Sequence, residues 1–508
     1  MSGIDFRHML GTVSGLDRQA AIDAEATRPA RDVRLAPGQS RLSPVVVSGI
    51  VRACDIALMV ATGVAVHLVY VSPLVAFDWM YPLAIALIAA SSAVGLQATG
   101  CYSIGAMRSF FRTGVKVTLT WVLVFLLATA LAFFLKTGGN FSRVWLGTWF
   151  VTGLAALLIE RFLVARYVGA ATRDGRFDRR TAIVGGGEPA NEIIRLLQAQ
   201  PESGIRIVGV YDDRDDDRSP TVVGGHAKLG SVSDLVEDAR RNPMDLVIFT
   251  VPISAENRLL QMLGKLWVLP IDIRLSAHAS KLKLRPRSYS YIGSVPVLDV
   301  FDRPIADWDH VVKWLFDRVV GAILLVLVSP ILLLAAIAVK LDSRGPVIFR
   351  QRRYGFNNEL VEVLKFRSMH IDQSDATASK LVTRNDPRVT RVGRFLRKTS
   401  IDELPQLFNV VFKGNLSLVG PRPHALQAKA QNRLYDQVVD SYFARHRVKP
   451  GITGWAQING WRGETDTEEK LQRRVEHDLY YIENWSVFLD AYILLATPFA
   501  LLKHENAY

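Results

Sequence analysis

The residues best suited to chemistry in this sequence are an adjacent pair of carboxylates, Asp402 and Glu403, with basic residues on either side. Guanidinium groups bind phosphate, and a carboxylate can hold a divalent cation that keeps its waters, so the set predicts chemistry on a diphosphate. Phosphoryl transfer also needs a nucleophile, and carboxylates form acyl-phosphate intermediates, which makes Asp402 the candidate. The basic neighbours are Lys365 and Arg367 in KFRSM, Arg397 and Lys398 just before the pair, and Arg422 in GPRP.

The carboxylate pair also has a purely structural interpretation. Ser400 and Glu403 have the spacing of a capping box at the start of a helix. The pair taken alone favours this role, and only its basic neighbours favour catalysis. A helix that began at this point would in addition direct its N-terminal N–H groups toward a pyrophosphate.

Charge and hydropathy place this chemistry beside a membrane. Between Lys340 and Ser400 there are fourteen Lys or Arg against six Asp or Glu, a net +8 of the chain's +13. An apolar run, Val319 to Val339, leads directly into this basic segment, and 49% of the chain is hydrophobic. A basic segment next to an apolar run is typical of proteins that act at a membrane surface. A purely soluble protein is therefore not expected, and the two cysteines exclude a disulfide framework or a cysteine-rich metal site.

Four earlier apolar runs are each close to the ~20 residues that a membrane-spanning helix requires. Arginines precede the first run and follow the fourth, and basic residues also lie between the second and third. The positive-inside rule then places both ends of this four-helix region in the cytoplasm. The runs are Val46 to Val71, Met80 to Leu96, Val115 to Leu135 and Val144 to Val168.

The fifth run, Val319 to Val339, is also long enough to cross. Its two flanks are both basic, however, which favours a segment that enters and returns on the same side. Ser329 and Pro330 lie in its middle, where proline removes a backbone donor and bends a helix. We therefore predict a re-entrant helix at about 313–341; the alternative is a kinked helix that spans the membrane.

Between these regions, short β-branched runs alternate with helical stretches, a pattern typical of a parallel α/β sheet. Gly185 and Gly187 belong to a relaxed G-x-G-x-x-A turn between a strand and a helix, and Asp212 and Asp213 end the next strand. This arrangement predicts a Rossmann-like domain with a possible nucleotide site. The alternative is that the glycines only make a tight turn.

The predicted fold class is thus an α-helical membrane protein with α/β domains. The predicted domains are a disordered cytoplasmic tail at 1–42, a four-helix transmembrane domain at 43–170, a Rossmann-like domain at 179–300, and a membrane-anchored α/β catalytic domain at 308–508.

The segment from Lys313 to Tyr508 resembles the bacterial polyprenyl-phosphate hexose-1-phosphate transferases, the monotopic phosphoglycosyl transferases. The long members of that family also place four transmembrane helices and a Rossmann-like domain before the catalytic domain. The motifs that carry the resemblance are Ser329-Pro330, SRGPVIFRQRRYG, KFRSM, TSIDELPQLFNV, LVGPRPHA, KPGITGWAQINGWRGET and the terminal NAY.

The resemblance implies a two-step exchange in which Asp402 attacks the β-phosphorus of a nucleotide sugar and UMP leaves. A polyprenyl phosphate then takes the sugar phosphate from the enzyme. Glu403 would orient groups near the nucleophile, and Mg²⁺, with Asp402 as its protein ligand, would neutralise the diphosphate. The resemblance also implies contacts with phosphate or nucleotide for Lys365, Arg397, Arg422 and Arg462, and Asp478 falls in a family motif. We predict that Arg367 and Asp478 belong to the same substrate- and phosphate-binding set.

Three of these assignments have a competing interpretation. For Arg397 and Arg462 the competing interpretation is a solvated surface charge, and for Asp478 it is a salt bridge on a helix surface.

The stretch after GPRP resembles the transferases that use UDP-glucose to begin exopolysaccharide synthesis, so the expected product is undecaprenyl-diphospho-glucose. UDP-galactose or another UDP-hexose is the alternative substrate. A non-catalytic assembly protein of polysaccharide export is the alternative of another class, and a nucleotide-sugar dehydratase is disfavoured because no Tyr-x-x-x-Lys pair follows the glycine turn. The expected location is the bacterial inner membrane, with several membrane passes, contact with its lipid, and the active site on the cytoplasmic face. We predict a homodimer and no nucleic-acid partner.

Overall fold

The computed structural model describes residues 41–73, 78–200, 203–214, 220–252, 255–276, 290–293, 295–370, 386–424, 429–430, 433–434, 442–461, 463 and 467–502. The predicted tail lies outside the described residues except for its last two positions. The chain divides into two compact units, one of residues 37–179 and one that contains the chain from residue 180 onward.

The first unit is built from long apolar helices that correspond to the four predicted runs. Each of the four long helices is long and apolar enough to cross a membrane, and many of their apolar side chains point outward and are exposed, as lipid-facing side chains would be. The helices are α1 (Pro44–Val66, continued by a π turn at His67–Val71), α2 (Met80–Ala98), the short α3 (Ile104–Met107), α4 (Phe110–Phe134) and α5 (Arg143–Arg173).

Tryptophans from α4 and α5 fill the core of this helical unit. Nε1 of Trp149 donates to the carbonyl of Met59 at 3.1 Å, and Nε1 of Trp145 donates to the carbonyl of Gly63 at 3.2 Å. A Cβ at Gly63 would lie 2.8 Å from the Trp149 ring, so glycine permits the close approach of α1 to α5. Pairing each indole N–H matters here because an unpaired donor in an apolar bundle is costly.

The second unit begins with a mixed sheet. Its strands are β1 (Arg179–Val184), β2 (Ile205–Tyr211), β3 (Val222–Val223), β4 (His226–Gly230), β5 (Leu246–Phe249), β6 (Asp272–Ser276), β7 (Ser290–Ile292) and β8 (Val295–Phe301). Helices α6 (Glu188–Gln198), α7 (Val232–Arg241) and α8 (Glu256–Leu266) connect them. The spatial order is β3-β4-β2-β1-β5-β6-β8-β7.

The centre of this sheet is parallel, as the sequence predicts. β2 runs parallel with β4, and β1, β5 and β6 run parallel with one another, whereas β3 pairs antiparallel with β4, and β8 pairs antiparallel with both β6 and β7. Both edges therefore differ from a purely parallel sheet. The β3–β4 and β7–β8 pairs are hairpins, and a hairpin turn can only join antiparallel strands.

The fifth apolar run forms α9 (Asp307–Asp342), a 36-residue helix that continues through Pro330. Proline has no N–H to donate to the carbonyl four residues earlier, which belongs to Val326. The hydroxyl of Ser329 donates to that same carbonyl at 2.7 Å. The Ser-Pro pair therefore supplies a side-chain donor in place of the missing backbone donor.

The remaining elements follow α9 along the chain, and several of them pack against it. They are the hairpin β9 (Ile348–Tyr354) and β10 (Leu360–Phe366), α10 (Arg391–Thr399), α11 (Gln406–Phe408), β11 (Ser417–Val419), β12 (Lys429–Ala430), β13 (Arg433–Leu434), β14 (Gly451–Thr453), α12 (Trp455–Ile458), α13 (Glu468–Glu483) and α14 (Val487–Leu502). β11 pairs parallel with β14. An apolar core that includes Leu407, Leu418 and Tyr481 joins β10, β11 and α13.

Candidate active site

Strand β10 carries Lys365 near its end. The strand pairs antiparallel with β9, and Asn409 fixes its position from the other side: its Oδ1 accepts from the N–H of Leu364 at 3.0 Å and its Nδ2 donates to the carbonyl of Glu362 at 2.6 Å. Asn409 is fully buried. The backbone that carries Lys365 is therefore held on one side by β9 and on the other by the Asn409 side chain.

The carboxylate pair lies in a tight turn rather than at the start of a long helix. Ser400 ends α10 in the left-handed conformation with φ 59°, and a single 3₁₀ turn, Ile401–Glu403, follows. The Ser400 side chain makes no capping hydrogen bond to this turn. The capping-box interpretation is therefore wrong, and the left-handed residue instead reverses the chain so that the two carboxylates face β10.

Glu403 is the centre of an ion cluster. Its Oε1 accepts from Lys365 Nζ at 2.8 Å and from Arg422 Nη2 at 2.6 Å, and its Oε2 accepts from Arg422 Nη1 at 3.1 Å. The pair with Arg422 is thus bidentate, the geometry that gives guanidinium–carboxylate pairs their strength. The structure brings together three residues that the sequence analysis selected from separate motifs.

The two neighbouring carboxyl groups are electrostatically distinct. Burial opposes ionisation of Glu403, but the charges and hydrogen bonds of Arg422 and Lys365 outweigh it and hold the pKa of Glu403 below its usual range. Burial and the adjacent Glu403 charge raise the pKa of Asp402 to about 6, against the opposing charges of Lys365, Arg397 and Arg422. A carboxylate with a raised pKa is a better nucleophile and is still mostly ionised at pH 7.

The carboxylate of Asp402 differs from that of Glu403 in its hydrogen bonds. No residue in the described part of the chain donates a hydrogen bond to its carboxylate, in contrast to the three bonds that Glu403 accepts. Arg397 is half-buried at the end of α10, and its positive charge favours the ionised form of Asp402. The solvated surface charge considered for Arg397 is therefore only part of its role.

Arg422 is positioned by the strand that precedes it. Asp317 of α9 accepts from the N–H of Leu418 at 3.0 Å and from the hydroxyl of Ser417 at 3.0 Å, which ties β11 to the helix. A Cβ at Gly420 would lie 2.5 Å from the carbonyl of Lys449, so the turn into GPRP requires glycine. The chain after β11 is therefore fixed so that Arg422 lies beside Glu403.

A second buried network supports the same turn from behind. Arg445 donates to the carbonyl of Arg422 at 2.9 Å, pairs with Asp478 of α13, and contacts the ring of His424 at 2.6 Å. Burial and the charges of Arg445 and Arg474 keep the pKa of His424 well below its usual range, so the imidazole is neutral. Asp478 is 2% exposed, so the surface salt bridge considered for it is wrong.

The sequence analysis did not select Arg445 or His424. His424 follows directly after GPRP in the motif LVGPRPHA, and that position is the available signal for it. Arg445 lies in no comparable motif.

Two predicted phosphate contacts lie elsewhere or cannot be placed. Arg367 is 4% exposed and donates to the carbonyls of Val339, Ser343 and Arg344 at 2.7–3.2 Å, where α9 ends. It therefore lies outside the Glu403 cluster and caps the helix. Arg462 lies outside the described residues, as does the terminal NAY.

The described residues offer few ligands for a metal ion. No group of three or more metal-binding side chains occurs within the described ranges. Glu403 is committed to two cations, which leaves Asp402 as the available carboxylate. One carboxylate suits Mg²⁺ only when a substrate diphosphate and waters complete its coordination.

Two family models match this chain. One describes a bacterial sugar transferase and matches residues 308–504; the other describes a CoA-binding domain and matches residues 97–277. An UDP-glucose:undecaprenyl-phosphate glucose-1-phosphate transferase of Klebsiella pneumoniae is 37% identical over 80% of this chain and 87% of the relative.

The chain belongs to the bacterial sugar transferases. It is a membrane-associated phosphotransferase, as the sequence analysis predicted.

Two further relatives of this transferase bear on the sugar. An undecaprenyl-phosphate glucose phosphotransferase of Komagataeibacter xylinus is 40% identical over 71% of this chain and 66% of the relative. An N-acetylgalactosamine phosphotransferase of Aeromonas hydrophila is 42% identical, but over only 38% of this chain and 44% of the relative. Identity within the aligned part is therefore similar for relatives named for different sugars.

Proposed function

We propose that this transferase moves glucose-1-phosphate from UDP-glucose to undecaprenyl phosphate and releases UMP. The observation that carries the proposal is the difference between the paired carboxylates. Glu403 accepts hydrogen bonds from Lys365 and Arg422, whereas no described residue donates a hydrogen bond to Asp402, whose pKa is raised to about 6. The relatives that cover more than two thirds of this chain at 36–40% identity are named for UDP-glucose or for glucose transfer, which supports this sugar over another UDP-hexose.

In the first step, an Oδ atom of Asp402 attacks the β-phosphorus of UDP-glucose. The bond from that phosphorus to the oxygen that bridges the two phosphates breaks, and UMP leaves with that oxygen. An oxygen of undecaprenyl phosphate then attacks the same phosphorus, and the carboxylate of Asp402 is released. Undecaprenyl-diphospho-glucose is the product, and the exchange needs no further reactant.

The surrounding residues would serve this exchange by holding charge. Glu403 keeps Lys365 and Arg422 fixed around the nucleophile, so their charges need no rearrangement when negative charge develops on the phosphoryl group. Arg397 would meet the diphosphate from the end of α10. Mg²⁺, held by Asp402 together with the substrate, would supply further charge neutralisation when bound.

Helix α9 supports the proposal that this chemistry lies at one membrane face, with α9 as a re-entrant segment. Near its start, Lys313 donates to the carbonyl of Val419 at 2.9 Å and pairs with Asp490 at 2.6 Å. Near its end, Val339 accepts from Arg367. Val339 follows Lys313 by 26 residues, ~39 Å along a straight helix.

A straight membrane crossing would separate those two points by more than the ~30 Å hydrocarbon core. The same catalytic fold contacts both ends of α9, and the basic flanks lie on both sides as well. We therefore propose that α9 enters and leaves the cytoplasmic face of the inner membrane, with the four helices of the first unit as its membrane spans.

A direct assay tests the reaction. Membranes that contain the protein are incubated with Mg²⁺, undecaprenyl phosphate and radiolabelled UDP-glucose, UDP-galactose or UDP-N-acetylglucosamine, and labelled lipid and UMP are measured. We expect labelled lipid from UDP-glucose, none from Asp402→Asn, and wild-type yield from Asp309→Asn, which changes an exposed carboxylate. Wild-type turnover by Asp402→Asn would refute the covalent route, and transfer from another sugar alone would refute the choice of glucose. Reporter fusions after Lys340 test the topology, and a periplasmic signal would refute the re-entrant helix.

A further inference from the structure

Two basic side chains meet the cytoplasmic end of α2 in the four-helix unit. Arg52 of α1 donates through Nη2 to the side-chain oxygen of Gln97, and Lys116 of α4 donates through Nζ to the carbonyl of Thr99 at 2.8 Å. Both α1 and α4 pack against α2, so the two cations approach its end from two neighbouring helices. The positive-inside rule places this end of α2 at the cytoplasmic face of the membrane.

The acids of the membrane helices do not neutralise these two cations. Asp55 and Glu160 are the only acidic residues within the four long helices, and both pair with Arg161. Neither Arg52 nor Lys116 forms an ion pair with a described residue. An unpaired charge beside hydrocarbon is costly, so charges in such helices are paired or reach the headgroups. The end of α2 therefore carries two positive charges that the described part of the chain does not balance.

Arg52 has further N–H groups available for a ligand. Its Nε is buried and has no hydrogen-bond partner among the described residues. Its guanidinium lies over the ring of Tyr102, 5.1 Å from the ring centroid, and the Tyr102 hydroxyl donates to Asp55 at 2.8 Å. A guanidinium that stacks on a fixed ring is oriented in advance, and its remaining N–H groups can bind phosphate oxygens.

The surroundings of the two cations are open to lipid. Three apolar side chains on one face of α2 are 43–69% exposed, and this face leads to Gln97. A Cβ at Gly100 would meet nothing within 4 Å, so the chain after α2 leaves space beside the cations. A lipid chain can therefore lie along α2 while its headgroup reaches the two cations. The three side chains are Leu83, Leu87 and Val94.

We propose that Arg52 and Lys116 bind the phosphate monoester headgroup of a membrane lipid, the class that includes phosphatidic acid and polyprenyl phosphates. A phosphate monoester carries a charge of about −1.5 to −2 at pH 7, which two cations balance. A phosphodiester headgroup has a single acidic oxygen and would leave one cation unbalanced. The contact of Lys116 with Thr99 uses one N–H of its ammonium group, and the others can reach the phosphate.

The test measures lipid binding to the full-length protein in detergent by native mass spectrometry. Phosphatidic acid is compared with phosphatidylglycerol of the same acyl chains, and with glycerol 3-phosphate, which has the same headgroup without the chains. We expect phosphatidic acid to bind about tenfold more tightly than phosphatidylglycerol, because one added hydrogen bond to a charged group contributes at least that factor. Glycerol 3-phosphate at the same concentration should not displace phosphatidic acid.

Four variants assign the preference to the end of α2. Arg52→Gln and Lys116→Gln each remove a charge and keep a donor, and each should abolish the preference for phosphatidic acid. Arg52→Lys keeps the charge and should retain the preference, as should Arg166→Gln, which removes an exposed arginine of α5.

The proposal is wrong if the two lipids bind equally, as they would at cations that only anchor the helices among anionic headgroups. It is also wrong if glycerol 3-phosphate displaces phosphatidic acid, or if either glutamine variant keeps the preference. Phosphatidic acid is not a substrate of the proposed transfer, so these outcomes do not depend on the proposed function.

Discussion

Replacing Glu403 by Gln removes the charge that organises the active site and leaves the side chain nearly unchanged in size. In the wild type, burial and the Glu403 charge raise the pKa of Asp402 from 3.8 to about 6, which corresponds to ~3 kcal/mol against ionisation. In the proposed mechanism, the ionised carboxylate of Asp402 is the nucleophile. The rate of the first step should therefore fall about tenfold per pH unit below pH 6 and level off above it.

In Glu403→Gln, the repulsion on Asp402 disappears, while the positive charges of Lys365, Arg397 and Arg422 remain. The pKa of Asp402 must then fall, and the acid limb of the pH profile moves to lower pH. Part of the rise, that caused by burial, persists. We expect a displacement of at least one pH unit, because a neighbouring charge in a protein site contributes roughly 2–4 kcal/mol, more than the ~1.4 kcal/mol that corresponds to one pKa unit.

The measurement is single-turnover release of UMP from UDP-glucose in the absence of polyprenyl phosphate. This half-reaction avoids the second ionisation of a phosphate monoester, which lies near pH 6 and would obscure the limb. Glu362→Gln is the matched control, since it removes an exposed carboxylate from the hairpin that carries Lys365 and should leave the profile in place. An acid limb in Glu403→Gln that stays at the wild-type pH, or moves upward, would refute the electrostatic account of Asp402.

Three other substitutions test parts of the same structure. Arg397→Ala removes a charge that favours the ionised form of Asp402, so the acid limb of UMP release should move upward, opposite to the displacement from loss of Glu403. Arg445→Met leaves a buried acid without its partner and should lower the free energy of unfolding by ~3–5 kcal/mol, measured by chemical denaturation in detergent; a loss below 1 kcal/mol would contradict the burial of that pair. Ser329→Ala should lower the free energy of unfolding by ~1 kcal/mol in the wild type but by almost nothing in the Pro330→Ala background, where residue 330 regains its N–H. Equal losses in the two backgrounds would show that the serine does not compensate for proline.

The sequence predicted those features that depend on local pattern. Apolar runs of spanning length became α1, α2, α4 and α5, and the alternation of strands and helices gave the parallel centre of the sheet. The sequence allowed us to group Lys365, Glu403 and Arg422, because each is a charged residue within a recognisable motif. Helix α7 begins at Val232 because Ser231 and Asp234 form a complete capping box there, a pattern of local spacing.

Features that depend on distant contacts or on an unusual backbone could not be predicted in this way. Ser400 adopts a left-handed conformation that sequence spacing does not signal, so a serine followed three residues later by an acid makes a capping box at Ser231 but a chain reversal here. Arg445 is one of 61 basic residues, and its importance arises from Asp478, 33 positions away. Arg367 and Lys365 are two residues apart, yet the first caps α9 and the second faces Glu403.

This last contrast shows why the membrane helix and the active site form one unit. The end of α9 is capped by Arg367, two residues after the lysine that holds Glu403, and its start is tied through Asp317 to β11, three residues before Arg422. Both cations of the Glu403 cluster are therefore carried on segments bonded to α9. A change in the depth of α9 would act on both segments, which β9, Asn409 and Arg445 also hold. Insertion of the helix in the membrane and assembly of the ion cluster should therefore be coupled.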